Sequence, residues 1–178
     1  MYYVYPCEKG CCSIKIRDYD FSQYYRYKGN CYKAGVFMYD PEQDRVLLVQ
    51  SRGRLWGPPK GSLEINKFET NTECAIRELK EETGLTVKRD DFLRSTRIKN
   101  RAVYYYVEAK SSNVNVQSDN VNLNDANGIT WIKLDCLASC ILAGQIVLNK
   151  HCQILFKRFL NRIFSPSNFI KVIRKRNK

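Results

Sequence analysis

An α/β sandwich is the architecture this sequence predicts: a mixed sheet with helices on both sides and an extra basic helix near the C-terminus. Three observations predict it. Short apolar runs rich in β-branched and aromatic residues recur on both sides of one long helix. That helix carries a start signal and a stop signal in the sequence itself. Two more helical stretches follow the last apolar run, before a basic tail.

Each element follows from its residues. Residues 1–31 form an N-terminal extension rich in tyrosine (Tyr2, Tyr3, Tyr5, Tyr19, Tyr24, Tyr25 and Tyr27), a composition that suits short strands. The main domain is expected over 32–164. Tyr32 to Tyr39 reads as a strand, Asp40-Pro41-Glu42 as a turn, and Arg45 to Gln50 as the returning strand. Trp56 to Phe68 reads as a loop. Thr70 and Glu73 form a capping box, and Cys74, Ala75, Ile76 and Leu79 supply apolar contacts for the helix that follows. Gly84 is placed to end it. Phe92 to Arg97 and Ala102 to Ala109 are two more strands. Residues 111–128, rich in Ser, Asn and Asp, read as a long mobile loop. Ile129 to Leu134 is a strand, and helices are expected near 135–146 and 148–164. A basic tail over 165–178 begins at Ser165-Pro166-Ser167.

Composition narrows the function. A chain of 178 residues, 44% hydrophobic, is long enough for one domain with a real core. No apolar run approaches the roughly 20 residues of a membrane span, and the N-terminus has no signal-peptide core. A soluble, cytoplasmic protein is the expectation. Lys plus Arg total 30 against 18 for Asp plus Glu, a net charge of +12. After Asp135 there are nine basic residues and no acid. Such asymmetry points to a polyanionic partner: nucleic acid, a highly phosphorylated small molecule or an anionic membrane. The eight cysteines are expected as thiols. Cys7, Cys11, Cys12 and Cys31 form one group, and Cys136, Cys140, His151 and Cys152 a second. Neither has the paired C-x2-C spacing of a zinc site, and a zinc site at either place stays open. Cys136 and Cys140 read as packing one helix face, Cys74 as a small core residue, and His151 as a surface residue.

The chemistry concentrates at residues 61–85: Gly61-x7-Glu69-x7-Arg77-Glu78-Leu79-x-Glu81-Glu82-x-Gly84-Leu85. At ~100° per residue, Glu78, Glu81 and Glu82 fall within an arc of roughly 100° on the helix. Three carboxylates on one face repel one another unless a cation sits among them. Mg²⁺ prefers such hard oxygen ligands and recruits substrate phosphates. Set beside Trp56-Gly57-Pro58-Pro59-Lys60-Gly61, this stretch resembles the box of the Nudix family, G-x5-E-x7-R-E-U-x-E-E-x-G-U, where U is a bulky aliphatic. Every required position from Glu69 to Leu85 matches. The departure is a two-residue insertion, which falls between Glu64 and Glu69.

The resemblance implies hydrolysis of a nucleoside diphosphate linked to another group. Glu78, Glu81 and Glu82 would hold Mg²⁺ or Mn²⁺ with help from the Gly61 carbonyl. Arg77 and Glu69 would pair and brace the loop against the helix. Lys60 would meet a phosphate oxygen. A general base is still needed, and Asp125 is the candidate, with Glu81 as the other choice. Asn124-Asp125 stands before Trp131 much as an Asn-Glu pair does in the mRNA decapping branch of the family, with Asp in place of Glu. The Trp56–Gly61 string and a basic late helix carrying Lys157, Arg158 and Arg162 also resemble that branch. The tail, with Lys171 and Arg174, suits an RNA backbone. Trp56 or an N-terminal tyrosine would stack on a methylated guanine. Against that branch, its separate N-terminal regulatory domain is expected to be absent, since only roughly 30 residues precede the first clear strand. On balance, capped RNA is the expected substrate. Diadenosine tetraphosphate and diphosphoinositol polyphosphates stay open, as does a catalytically silent RNA-binding module. The intact Glu78, Glu81 and Glu82 argue against the last.

Overall fold

A computed structural model describes residues 2–17, 32–51, 54–115 and 126–161. The strands are β1 (Tyr2–Pro6), β2 (Ser13–Arg17), β3 (Lys33–Asp40), β4 (Arg45–Ser51), β5 (Leu55–Gly57), β6 (Lys60–Ser62), β7 (Arg94–Ile98), β8 (Ala102–Glu108), β9 (Gly128–Lys133) and β10 (Val147–Leu148). The helices are α1 (Asn71–Thr83), α2 (Leu134–Leu142) and α3 (Lys150–Leu160). The main path of the sheet runs β1-β2-β9-β4-β3-β8-β7; β6 pairs with β3, β5 with β4, and β10 with β5. The β3–β8 and β10–β5 pairs are parallel and the remaining pairs antiparallel, so the sheet is mixed.

Alternation along the strands builds a core on each face. Ala34, Val36 and Met38 of β3 and Leu47 and Val49 of β4 pack with Cys74, Ala75 and Leu79 of α1. Phe37, Val46, Leu48, Tyr104 and Ile132 face the other way, against Leu137 of α2 and Leu155, Phe156 and Phe159 of α3. Helices thus cover both faces, and the α/β sandwich is the observed architecture.

α1 begins and ends where its local sequence says. Glu73 N–H donates to Thr70 Oγ1 at 3.3 Å and Thr70 N–H to Glu73 Oε2 at 2.8 Å. Gly84 ends the helix in the left-handed region, φ 75°. α2 stops earlier than its sequence suggests. The chain leaves the helix after Leu142, buries Ile146, and pairs Val147 and Leu148 with Leu55 and Trp56. α3 starts at an Asn149 cap, whose side chain accepts from Cys152 N–H at 2.9 Å, and Asn161 closes it with φ 53°. Arg94 docks the end of α3, donating to Phe159 O at 2.6 Å with its guanidinium 4.5 Å from the Tyr106 ring centroid.

One expectation changes, and the short strands expected near the N-terminus are present. The Trp56–Phe68 stretch is not a bare loop: β5 and β6 pair with β4 and β3, and only the inserted residues form a 3-10 turn at Ile65–Lys67. The N-terminal tyrosine-rich region contributes a full hairpin to the sheet, with Lys15 and Ile16 of β2 paired to Ile129 and Gly128 of β9. Tyr19, Tyr24, Tyr25, Tyr27, Cys31, Asn124, Asp125, Arg162, Lys171, Arg174 and the 165–178 tail lie outside the described residues. Among those described, no helix is long and apolar enough to cross a membrane.

Candidate active site

The site is built where α1 packs on β6. Antiparallel pairing of Gly35 with Lys60 and of Ala34 with Gly61 presses the β6 backbone against the helix. Lys60 N–H donates to Glu82 Oε2 at 2.8 Å, and Glu82 is only 3% exposed. A β-carbon on Gly61 would collide with the Glu78 carboxyl group, so only glycine lets loop and carboxylate approach this closely. Cys74, one turn before Glu78, points its thiol at Gly61 O, 3.8 Å away. Burial pushes that thiol up to about 12, with Glu69 and Glu78 adding to the shift, so it packs as a neutral group.

Arg77 ties the parts together. Its Nε and Nη2 donate to the two Glu69 oxygens at 2.7 and 3.0 Å, a bidentate pair. Nη1 reaches Glu78 at 2.8 Å and Glu81 at 3.0 Å, and Nη2 also reaches Ser62 O at 3.0 Å. Glu69 accepts in addition from Glu64 N–H at 2.8 Å. The two inserted residues therefore bulge outward between Glu64 and Glu69, with Phe68 93% exposed, while the ends of the loop stay clamped.

The electrostatics suit a divalent cation. Three carboxylates, Glu69, Glu78 and Glu81, are gathered around one guanidinium, and Glu82 accepts the nearby Lys60 N–H. Burial raises the Glu78 carboxyl above its ordinary value, and Arg77 only partly opposes this. The Arg77 hydrogen bond holds Glu69 below the usual range. Glu78, Glu81 and Glu82 are hard oxygen donors of the kind Mg²⁺ or Mn²⁺ prefers; here Arg77 engages Glu78 and Glu81, and Lys60 N–H engages Glu82.

Basic groups border the acids. Lys60 acts electrostatically on Glu78 and, with Lys99 and Lys33, on His151. A cleft of ≈ 160 Å³ between the start of α1 and the β7–β8 hairpin is lined by Tyr32, Lys33, Leu63, Asn71, Arg97 and Arg101, among others. A larger cavity of ≈ 300 Å³ is lined by Cys11, Lys15, Arg45 and Trp131 among others, and neither cavity is lined by a motif carboxylate.

The structure corrects two readings, Trp56 and His151. Trp56 is 0% exposed, packed beneath β10 and α3, and presents no ring face to a nucleobase. His151 is half-buried rather than on the surface, its Nδ1 2.9 Å from the Tyr104 hydroxyl and its ring edge-on to that tyrosine. Burial first, and then Lys60, Lys99 and Lys33, lower its pKa. Arg158 is exposed, but it donates to Thr96 Oγ1 and Arg97 O, both at 2.7 Å, docking α3 on β7. Lys157 is exposed, and Tyr3 and Tyr5 stand exposed on the edge strand β1. Sequence reasoning missed Lys33, Lys99, Tyr104 and His151 as neighbours of the site. The one available signal was helical spacing: His151 sits one turn before Leu155 on α3.

Comparison with known proteins decides the family, because the NUDIX domain model matches residues 30–145. The chain belongs to the Nudix family. This Nudix hydrolase is 36% identical over 155 residues to "Putative hydrolase 111R" of Invertebrate iridescent virus 3, covering 82% of this chain and 88% of that protein. It is 35% identical over 98 residues to the m7GpppN-mRNA hydrolase dcap-2 of Caenorhabditis elegans, covering 42% of this chain but 12% of the worm enzyme. Its fold matches a bifunctional NMN adenylyltransferase/ADP ribose pyrophosphatase from Francisella tularensis, complexed with AMP and a Mn ion. There the TM-score is 0.50 at 21% identity, over 74% of this chain and 41% of that one.

Proposed function

We propose that this Nudix hydrolase removes the cap from RNA in the cytoplasm. Water attacks a phosphate of the 5′–5′ bridge, a P–O bond breaks, and 7-methylguanosine diphosphate leaves RNA with a 5′-monophosphate. The observation that carries this reading is the basic cleft in which Lys33, Arg97 and Arg101 meet Asn71 at the start of α1, with Lys33 paired to Ser62 next to Gly61. The likeness to the worm mRNA hydrolase supports it. So does the run of nine basic residues with no acid after Asp135, although its last members lie outside the described residues.

The roles in this reading are carried over from the family motif, with Asp125, Arg162, Lys171 and Arg174 outside the described residues. Glu78, Glu81 and Glu82, with the Gly61 carbonyl, would hold Mg²⁺ or Mn²⁺, which supplies charge neutralisation for the reacting phosphate. Arg77 and Glu69 fix the loop against the helix. Lys60 orients a phosphate oxygen. Lys157 and Arg158, with Arg162, Lys171 and Arg174 of the basic C-terminal region, hold the RNA body. The base that takes the proton from water is Asp125. Asp125→Asn is expected to reduce kcat more than it raises KM, since a base acts in the transition state. An unchanged rate and pH profile in that variant would return the role to Glu81.

Substrate choice is tested by product analysis with cap-labelled long RNA, free cap analogue, diadenosine tetraphosphate and a diphosphoinositol phosphate in parallel. Long capped RNA is expected to have the highest kcat/KM, because remote binding positions the reacting phosphate. Its affinity should fall steeply with salt as counterions are released. Replacing Lys157, Arg158 and Arg162 with alanine together should flatten that slope and spare the small substrates. Equal efficiency on free cap analogue or diadenosine tetraphosphate would make the protein a small-polyphosphate hydrolase instead.

A further inference from the structure

The hydrolytic site uses one cysteine as packing and leaves the others without a role. Four of them meet at one end of the sheet. β1 and β2 are joined by Cys7-Glu8-Lys9-Gly10-Cys11-Cys12, a turn closed by Cys7 N–H to Cys12 O at 2.9 Å and Gly10 N–H to Cys7 O at 2.8 Å. Cys136 sits in the first turn of α2, directly after β9. Pairing of β2 with β9 brings the turn up to that helix, and Lys9 meets Asp135 at 2.6 Å.

The Sγ atoms of Cys7, Cys11, Cys12 and Cys136 all lie within 4.8 Å of one another. Cys7 to Cys11 and Cys11 to Cys12 are each 3.8 Å. Zn–S bonds of about 2.3 Å in a tetrahedron set sulfur–sulfur edges of about 3.8 Å. Cys11 to Cys136, at 3.1 Å, needs to open by about 0.7 Å to match that edge. The same distance is well beyond the roughly 2.05 Å of a disulfide bond. Core packing explains buried thiols taken singly. It does not explain four sulfurs directed at one point, one of them on an exposed turn.

A backbone donor faces the cluster: Lys133 N–H points at Cys12 Sγ, 3.4 Å away. Such N–H contacts to sulfur are the outer-shell support that metal-bound cysteines receive.

We infer that Cys7, Cys11, Cys12 and Cys136 bind one structural Zn²⁺, pinning the N-terminal hairpin to α2. Four thiolates close the coordination shell, so the ion has no open position for substrate. The thiol protons pass to solvent as the metal binds. Soft sulfur ligands select zinc, whereas the carboxylates of the hydrolytic site select Mg²⁺ or Mn²⁺, so the two sites are chemically independent.

The test counts metal in the full chain, expressed in zinc-supplemented medium, kept under a phosphine reductant and desalted in metal-free buffer. One zinc per chain is expected in the wild type and in Glu82→Gln, which alters only the hydrolytic site. Cys11→Ser and Cys136→Ser should lose it. Cys11 is exposed, so its serine variant is expected to keep the wild-type circular dichroism spectrum. Cobalt exchanged into the wild type should give intense ligand-field bands and sulfur-to-cobalt charge transfer, both absent in Cys11→Ser. Wild-type protein without stoichiometric zinc would overturn the assignment. So would unchanged zinc in both serine variants, or a Cys11–Cys136 disulfide found by peptide mass spectrometry under the same conditions.

Discussion

Glu82→Gln is expected to lower metal-dependent hydrolysis about a thousand-fold, the effect of losing several kcal/mol of charge stabilisation in the transition state. The fold should survive. Glu82 is buried, and one of its oxygens accepts the Lys60 N–H at 2.8 Å. Glutamine keeps the size and an acceptor oxygen, so the β6–α1 contact remains. Only the negative charge goes. Turnover in saturating Mg²⁺ or Mn²⁺, measured beside the melting temperature, separates the two effects. A folded variant with near wild-type turnover would show that the Glu78–Glu82 face is not the metal site.

Arg77→Met is expected to destabilise the protein by about 3 kcal/mol, in the range for breaking a mostly buried ion pair. For a domain of this size that is a fall of about 6–12 °C in Tm. One guanidinium bonds Glu69, Glu78, Glu81 and Ser62 O, joining the insertion loop to the helix. Methionine keeps much of the stem and leaves Glu69 buried without its strongest partner. The pH dependence gives a second readout. Arg77 holds the Glu69 carboxyl below its ordinary value. The associated stability is present above the unfolded glutamate pKa and is lost as pH falls through the lowered folded value. That acid limb should be shallower in Arg77→Met. A wild-type Tm and acid limb would mean that the network contributes nothing to folding.

What could be read from the chain alone was local. Thr70, Glu73 and Gly84 set the ends of α1 through contacts no more than four residues apart. Alternation sorted β3 and β4 onto two cores, and helical periodicity placed Glu78, Glu81 and Glu82 on one face. The motif around them marked the family. Where a local signal competed with a distant partner, the partner won. The helical pattern to residue 146 gave way to pairing of Val147 with Leu55, 92 residues earlier. Trp56 stands in a motif that reads as ligand-facing, yet β10 and α3 bury it. His151 is drawn inward by Tyr104, 47 residues away in sequence. Cys136 joins three cysteines of the N-terminal group in one cluster because β2 pairs with β9, bringing Cys11 to Cys136 across 125 residues. The ends of α1 and the carboxylate stripe were legible in the chain, because each depends on bonds or periodicities within a few residues. Only the tertiary structure decided which aromatic is core, where the histidine sits and which cysteines meet. Those outcomes depend on strand pairings and helix docking whose partners lie far apart along the chain.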